Sequence, residues 1–223
     1  MCGRFTRKEN FQHLAKLLGI HMLPPLEPRY NIAPSQLVAC VRTNLETRDR
    51  EYVPLKWGLV PAWAKDPRMG NTMINARAET VAEKPAFRKA LRHQRCVVLA
   101  DGFYEWKREG KTKQPYYIHL TDNRPFVFAG LWECWAREGE QPLESCAMVT
   151  TGPNALMESI HQRMPVILSP KNYDLWLDLG VQNPQSLLPI LQPYPPEEME
   201  AFPTSLIVNN PRNDSPLCVQ PLG

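Results

Sequence analysis

Twenty-three prolines run from Pro24 to Pro221 in this 223-residue chain, about twice the usual share, and they limit what it can build. Proline fixes φ and removes an amide donor, so it breaks helix interiors and is kept out of central strands. Spread along the chain without a PxxP period, these prolines imply short elements joined by rigid turns rather than a disordered tail. The length permits one large domain or two small ones, with a core that needs no staples. No Gly/Ser-rich linker and no internal repeat divides the sequence. It reads as one domain over 1–223, with an irregular tail from about residue 211.

Within those limits the periodicity predicts an α+β fold. Thr6 is placed to cap a helix starting near Arg7, with Phe11, Leu14, Leu17 and Leu18 on one face and Gly19 as its stop. Residues 36–43 and 51–57 read as strands, and 58–78 as irregular. Pro85 opens a basic helix through Arg92. The continuously apolar run 96–100 is expected to be a central strand. Strands follow at 103–106, 115–120, 125–132 and 145–150, with a hairpin turn around Gly110. Helices are expected at 154–160, from Pro170 through Trp176 behind a Ser169 cap, and from Pro184 through Leu191; a last strand falls at 205–208.

Composition removes several functional classes. No stretch approaches 18 consecutive apolar residues, so no membrane span is expected. The opening MCGRFTRKENF lacks the apolar segment of a signal peptide, which implies a cytoplasmic protein, or a nuclear one in a eukaryote. The six cysteines form no CxxC pair, and a disulfide framework is not expected. No HExxH or Cys/His cluster has metal spacing, and neither metal nor cofactor is expected. The net charge of +3 is unevenly placed. Residues 1–113 carry 21 Lys+Arg against 11 Asp+Glu, and residues 114–223 carry 5 against 12. This permits a basic face suited to an anionic polymer, unless the halves interleave in space.

Four groups of residues could carry chemistry. Removal of Met1 exposes Cys2 as a primary amine and a thiol on adjacent carbons, with ordinary pKa values of about 7.7–8.0 and 8.5. The amine can condense with an aldehyde, and the thiol can then close a five-membered thiazolidine. Otherwise Cys2 is an inert residue in a frayed terminus. Glu105 lies in the aromatic run Phe103-Tyr104-Glu105-Trp106, where it is either an acid–base group with a raised pKa or an edge-strand carboxylate facing water. His161 follows a short helix and is a proton carrier or a structural histidine. Asn75, Arg77 and Glu79 face one way if their segment is extended, and could grip an anion or a sugar oxygen. Thr150, Thr151, Asn154, Asn209 and Asn210 add neutral polar groups beside core strands.

These segments together resemble the SRAP family, the SOS response-associated peptidase proteins that shield abasic sites in DNA. The resemblance rests on Met1-Cys2-Gly3-Arg4-Phe5, Arg29-Tyr30-Asn31 with Pro34, Trp57-Gly58 and Asn75-Ala76-Arg77-Ala78-Glu79. It continues through Asp101 to Trp106, Gln114-Pro115-Tyr116, Val149-Thr150-Thr151, His161-Gln162-Arg163-Met164-Pro165 and Val208-Asn209-Asn210. The matches span residues 2 to about 210, and no single one is decisive. The resemblance implies a compact domain on curved antiparallel sheets. It implies a monomer that binds single-stranded DNA, or single-strand/double-strand junctions, at an abasic site. Cys2 would crosslink to the sugar aldehyde, Asn75 would orient the sugar or amine, Glu105 would move protons, and His161 would assist reversal. Arg4 and Arg77 would meet phosphates and Asn31 would line the pocket, with Thr150 and Arg163 among the DNA contacts. Trp63 either stacks on a base, wedges a duplex end or packs in the core. The resemblance also implies strand cleavage as a lyase as a companion activity. The alternative is an N-terminal-nucleophile peptidase whose plausible act is removal of its own Met1.

Overall fold

Strand segments rich in β-branched and aromatic residues form two sheets in the computed structural model, which describes residues 2–222. The strands are β1 (Phe5–Arg7), β2 (Arg29–Ile32), β3 (Leu37–Thr43), β4 (Arg50–Trp57), β5 (Asn75–Arg77) and β6 (Arg95–Ala100). They continue as β7 (Gly102–Glu109), β8 (Thr112–Leu120), β9 (Phe126–Trp135), β10 (Leu143–Thr151), β11 (Met164–Pro165) and β12 (Met199–Pro203). Four short α-helices lie outside them: α1 (Gln12–Leu17), α2 (Arg88–His93), α3 (Tyr173–Leu177) and α4 (Pro184–Leu187). The fold is α+β, as the periodicity predicts.

The first sheet has the order β12-β8-β7-β1-β2 and is antiparallel throughout. The second runs β11-β10-β4-β3-β6-β9, and pairing of β9 with β10 closes five of its strands into a ring. Closure leaves those strands without a free edge. Within otherwise antiparallel sheets, β10 runs parallel to both β4 and β5.

β6 buries both faces, which explains its unbroken apolar run. Val97 and Leu99 face a core made with the helices, including Leu14, Leu91 and Trp176. Cys96, Val98 and Ala100 face a second core shared with the first sheet, where Phe5, Trp57, Phe103 and Phe128 meet edge to face. Such aromatic contacts add about 0.5–1.5 kcal/mol each beyond area burial.

Several local expectations yield to tertiary pairing. Thr6 caps no helix; it lies in β1, and its hydroxyl donates to the Asp101 carboxylate. Residues 58–78 are not wholly irregular, since they hold a 3-10 helix (Pro67–Thr72) and β5. The basic helix begins at Arg88 rather than Pro85. The 154–160 helix shrinks to a 3-10 turn, Met157–Ser159. Ser169 makes no capping bond, and a 3-10 turn precedes α3. The expected strand at 205–208 is a 3-10 turn, Leu206–Asn209, because Ser205 accepts from the Ile207 amide while Arg4 and Asn31 hold its carbonyls. The tail beyond 211 is tied down: Cys218 is buried, and Thr204 bridges to Pro221.

Candidate active site

β1 places Cys2. This strand is inserted between β2 and β7, so the residues just before it are carried to the seam between the two sheets. Asp101, at the corner between β6 and β7, locks the insertion. Its carboxylate accepts from the Thr6 hydroxyl and from the amides of Lys8 and Glu9. Cys2 is accordingly fully buried in the inter-sheet core, not frayed. Burial pushes its thiol well above the ordinary range, and the charge of Glu105 adds to the shift. The thiol therefore carries its proton and points at the Arg4 carbonyl, 3.8 Å away.

Asn75, in β5, donates its side-chain amide to the Cys2 carbonyl at 2.8 Å. Its own Oδ1 is buried without a hydrogen-bond partner among the described residues, which leaves one strong acceptor available to a bound group. β5 owes its position to parallel pairing with β10, where Asn75 lies opposite Met148 and Arg77 opposite Thr150.

Glu105, in β7, is only 2 % exposed. Burial raises its pKa to about 7 and removes the water-facing alternative. His161 approaches it, with Nε2 3.9 Å from Glu105 Oε2. The His161 Nδ1 lies 3.0 Å from the backbone N–H of Arg163. The Arg163 carbonyl lies equally near, at 3.0 Å, so Nδ1 finds a partner in either tautomer while Nε2 faces Glu105. Burial holds the imidazole below its usual range, so it is neutral near pH 7.

A cavity of about 910 Å³ opens over Glu105 and His161, while Cys2 and Asn75 lie behind its lining. Glu105 and His161 line it together with Arg77, Trp106, Arg108, Lys113, Arg163 and Asn209. Arg163 is already committed: it grips Glu79 with two nitrogens and also reaches the Thr150 carbonyl and hydroxyl. Its first contribution is thus to tie the 161–163 turn to β10. Arg77, Arg108 and Lys113 make no ion pair among the described residues and remain available to an anion.

The other sequence candidates fall outside this lining. Arg4 donates to Asn31 Oδ1 and to the carbonyls of Val208 and Asn209, so its guanidinium fastens the 206–210 turn against β1. Asn31 is buried, and its amide serves the carbonyls of Val208, Asn210 and Asn213. These bonds present Asn209, whose side chain accepts from Trp106 Nε1 at 2.7 Å. Thr150 is fully buried behind Arg163. Trp63 is 56 % exposed on its loop, which removes the core-packing alternative. No group of His, Cys, Asp and Glu suited to a metal occurs among the described residues.

Sequence reasoning missed Trp106, Arg108 and Lys113. The signal was present: Gly110, at φ +63°, fixes a two-residue turn, and counting outward pairs Arg108 with Lys113.

The family model of the SOS response associated peptidases (SRAP) matches residues 1–211. This chain belongs to the SRAP family. Among SRAP relatives, the abasic site processing protein YoqW of Bacillus subtilis (strain 168) is 45% identical over 224 residues, covering 99% of each chain. The abasic site processing protein HMCES of Mus musculus is 35% identical over 231 residues, covering 87% of this chain and 65% of that protein. A crystal structure of a Bacteroides thetaiotaomicron protein superposes with a TM-score of 0.86 at 25% identity, over 99% of this chain and 100% of the other. A phage-related protein from Bordetella bronchiseptica gives 0.72 at 31% identity, over 91% and 94%. The resemblance noted in the SRAP motifs thus extends over the whole fold.

Proposed function

We propose that this protein captures abasic sites in single-stranded DNA, including those at single-strand/double-strand junctions, through a thiazolidine at Cys2. The observation that carries the reading is the meeting of a buried Cys2, the Asn75 amide and a Glu105 near neutrality beneath a cation-lined cavity. The relatives named for abasic site processing support the choice of DNA lesion.

With Met1 removed, the Cys2 amine attacks the aldehyde carbon of the ring-opened sugar. The carbinolamine loses water to give an imine, and the thiol sulfur adds to the same carbon. The thiol proton passes to the imine nitrogen, so one water leaves and no oxidant is needed. A protonated Glu105 supplies the proton that expels water. Asn75 keeps Cys2 oriented, and its free Oδ1 accepts from the amine or a sugar hydroxyl. His161, neutral and adjacent to Glu105, serves sugar ring opening and crosslink reversal. A lesion without a base needs no base-reading groups, only phosphate contacts around a bare sugar.

The peptidase alternative needs a thiolate, and burial opposes one at Cys2. The imidazole that would activate it faces Glu105 instead. The geometry therefore supports aldehyde capture over hydrolysis.

Intact-mass measurement of the Met1-processed protein mixed with an abasic single-stranded oligonucleotide tests the reading. The expected product weighs the sum of the two minus one water. A species lacking that mass, or an acylated thiol with a released amine, would count against it. Noncovalent binding should also weaken with salt. Arg77→Ala and Arg108→Ala should each flatten the dependence of log K on log salt by roughly one unit. Unchanged slopes for both, in titrations at several ionic strengths, would show that neither meets phosphate.

A further inference from the structure

Arg108 and Lys113 lie directly opposite each other across the β7–β8 hairpin. Residues so paired share a face, and like charges there repel. Neither forms an ion pair among the described residues, and both line the cavity that holds Glu105 and His161. Arg77 enters the same cavity from β5. A doubly charged anion seated between Arg108 and Lys113 would offset their repulsion and be attracted by three cations. At about 910 Å³, the cavity falls within the ~300–1,000 Å³ typical of small-molecule sites.

The chemistry assigned to Cys2 asks only for an aldehyde, and nothing in it asks for a polymer. We propose that the same cavity takes free aldose phosphates, open-chain sugars carrying an aldehyde and a phosphate monoester, seating the phosphate on the Arg108–Lys113 pair and capturing the aldehyde on Cys2. This rests on the thiazolidine reading above. The balance is the same: the amine and thiol of Cys2 both bond to the aldehyde carbon, and one water leaves. The product blocks both reactive atoms, so a chain that has captured a sugar phosphate is closed to DNA. Aldose phosphates thereby become competitive inhibitors of lesion capture.

The experiment follows adduct formation by intact mass, using the full Met1-processed chain with 2-deoxyribose 5-phosphate and with 2-deoxyribose. Phosphorylation changes how much of a sugar is open-chain. Each rate is therefore divided by that of a free Cys-Gly-Arg-Phe peptide with the same sugar. The normalised rate should be about tenfold greater for the phosphate, the low end of the gain from charge focusing. In the double variant Arg108→Gln, Lys113→Gln the two normalised rates should converge. A preference below about threefold, or one that survives the double variant, overturns the proposal. An abasic oligonucleotide run in parallel separates the two readings. If it crosslinks while the sugar phosphate does not, only the small-molecule proposal fails; if neither reacts, the Cys2 chemistry itself fails.

Discussion

Cys2→Ala is expected to abolish the heat-stable adduct with abasic single-stranded DNA. The alanine amine still forms an imine, but nothing closes the ring, and an open imine hydrolyses. Borohydride should therefore trap a product from C2A that heating without reductant destroys. Cys2→Ser closes at best to a less stable oxazolidine and should fall between the two. The loss concerns bond formation, because the cavity cations Arg77, Arg108 and Lys113 are untouched and weak DNA binding persists. The substitution removes one buried sulfur atom from the inter-sheet core, a change small enough for the fold to survive. A wild-type yield of heat-stable adduct from C2A, read on a denaturing gel, would contradict the thiazolidine outright.

Glu105→Gln is expected to slow adduct formation by about 10²-fold, the typical cost of losing a positioned acid–base group. The pH dependence identifies the loss. In the wild type the rate needs a free amine, of pKa about 7.7–8.0, and a protonated Glu105, held by burial at about 7. The profile should be bell-shaped, with its maximum between about pH 7 and 8. The glutamine variant should keep the rising limb and lose the falling one.

Stability should move the opposite way. Glu105 sits above its unfolded value of about 4.3, so the folded state holds the extra proton between those pH values. Its contribution to stability is full below about pH 4 and lost as pH rises through 7. Glu105→Gln should remove that dependence and stabilise the protein at pH 8 by up to about 3 kcal/mol, measured by urea denaturation at pH 5 and pH 8. A variant that is slower and also less stable at pH 8 would point to a packing role instead.

Much of this arrangement is legible in the sequence. The apolar run of β6 and the aromatic run of β7 announce buried strands, and Glu105 among aromatics announces a strained carboxylate. The motif segments identify the family whose model spans residues 1–211. What escapes is set by long-range pairing. Thr6 has the local pattern of a helix cap, yet β1 finds partners at residues 29–32 and 102–103 that no local rule reveals. Residues 205–208 look like a strand, but Arg4 and Asn31 take the Val208 carbonyl, and the Ser205 and Ile207 carbonyls accept from amides within the turn. Arg4 and Asn31 read equally well as ligand contacts or as fasteners, because sequence shows a residue's capacity to bond and not which partner arrives. Closure of the ring depends on β10 meeting β9 on one side and β4 and β5 on the other, three pairings of different range and direction.

The insertion of β1 between β2 and β7 also governs when a growing chain becomes reactive. Cys2 is placed by contacts made with Asn75 and, through Asp101, with the start of β7, while Arg4 reaches Val208 across 204 positions. Contacts so distant in sequence form late, since the intervening loop must close first. During translation Cys2 emerges long before the segment that fastens its strand. For that interval it stands in water with an ordinary thiol and no acid beside it. Burial then seals the terminus as the last turns dock. On the proposed reading, trimming of Met1 by another enzyme would have to come before that docking, and lesion capture would have to come after it.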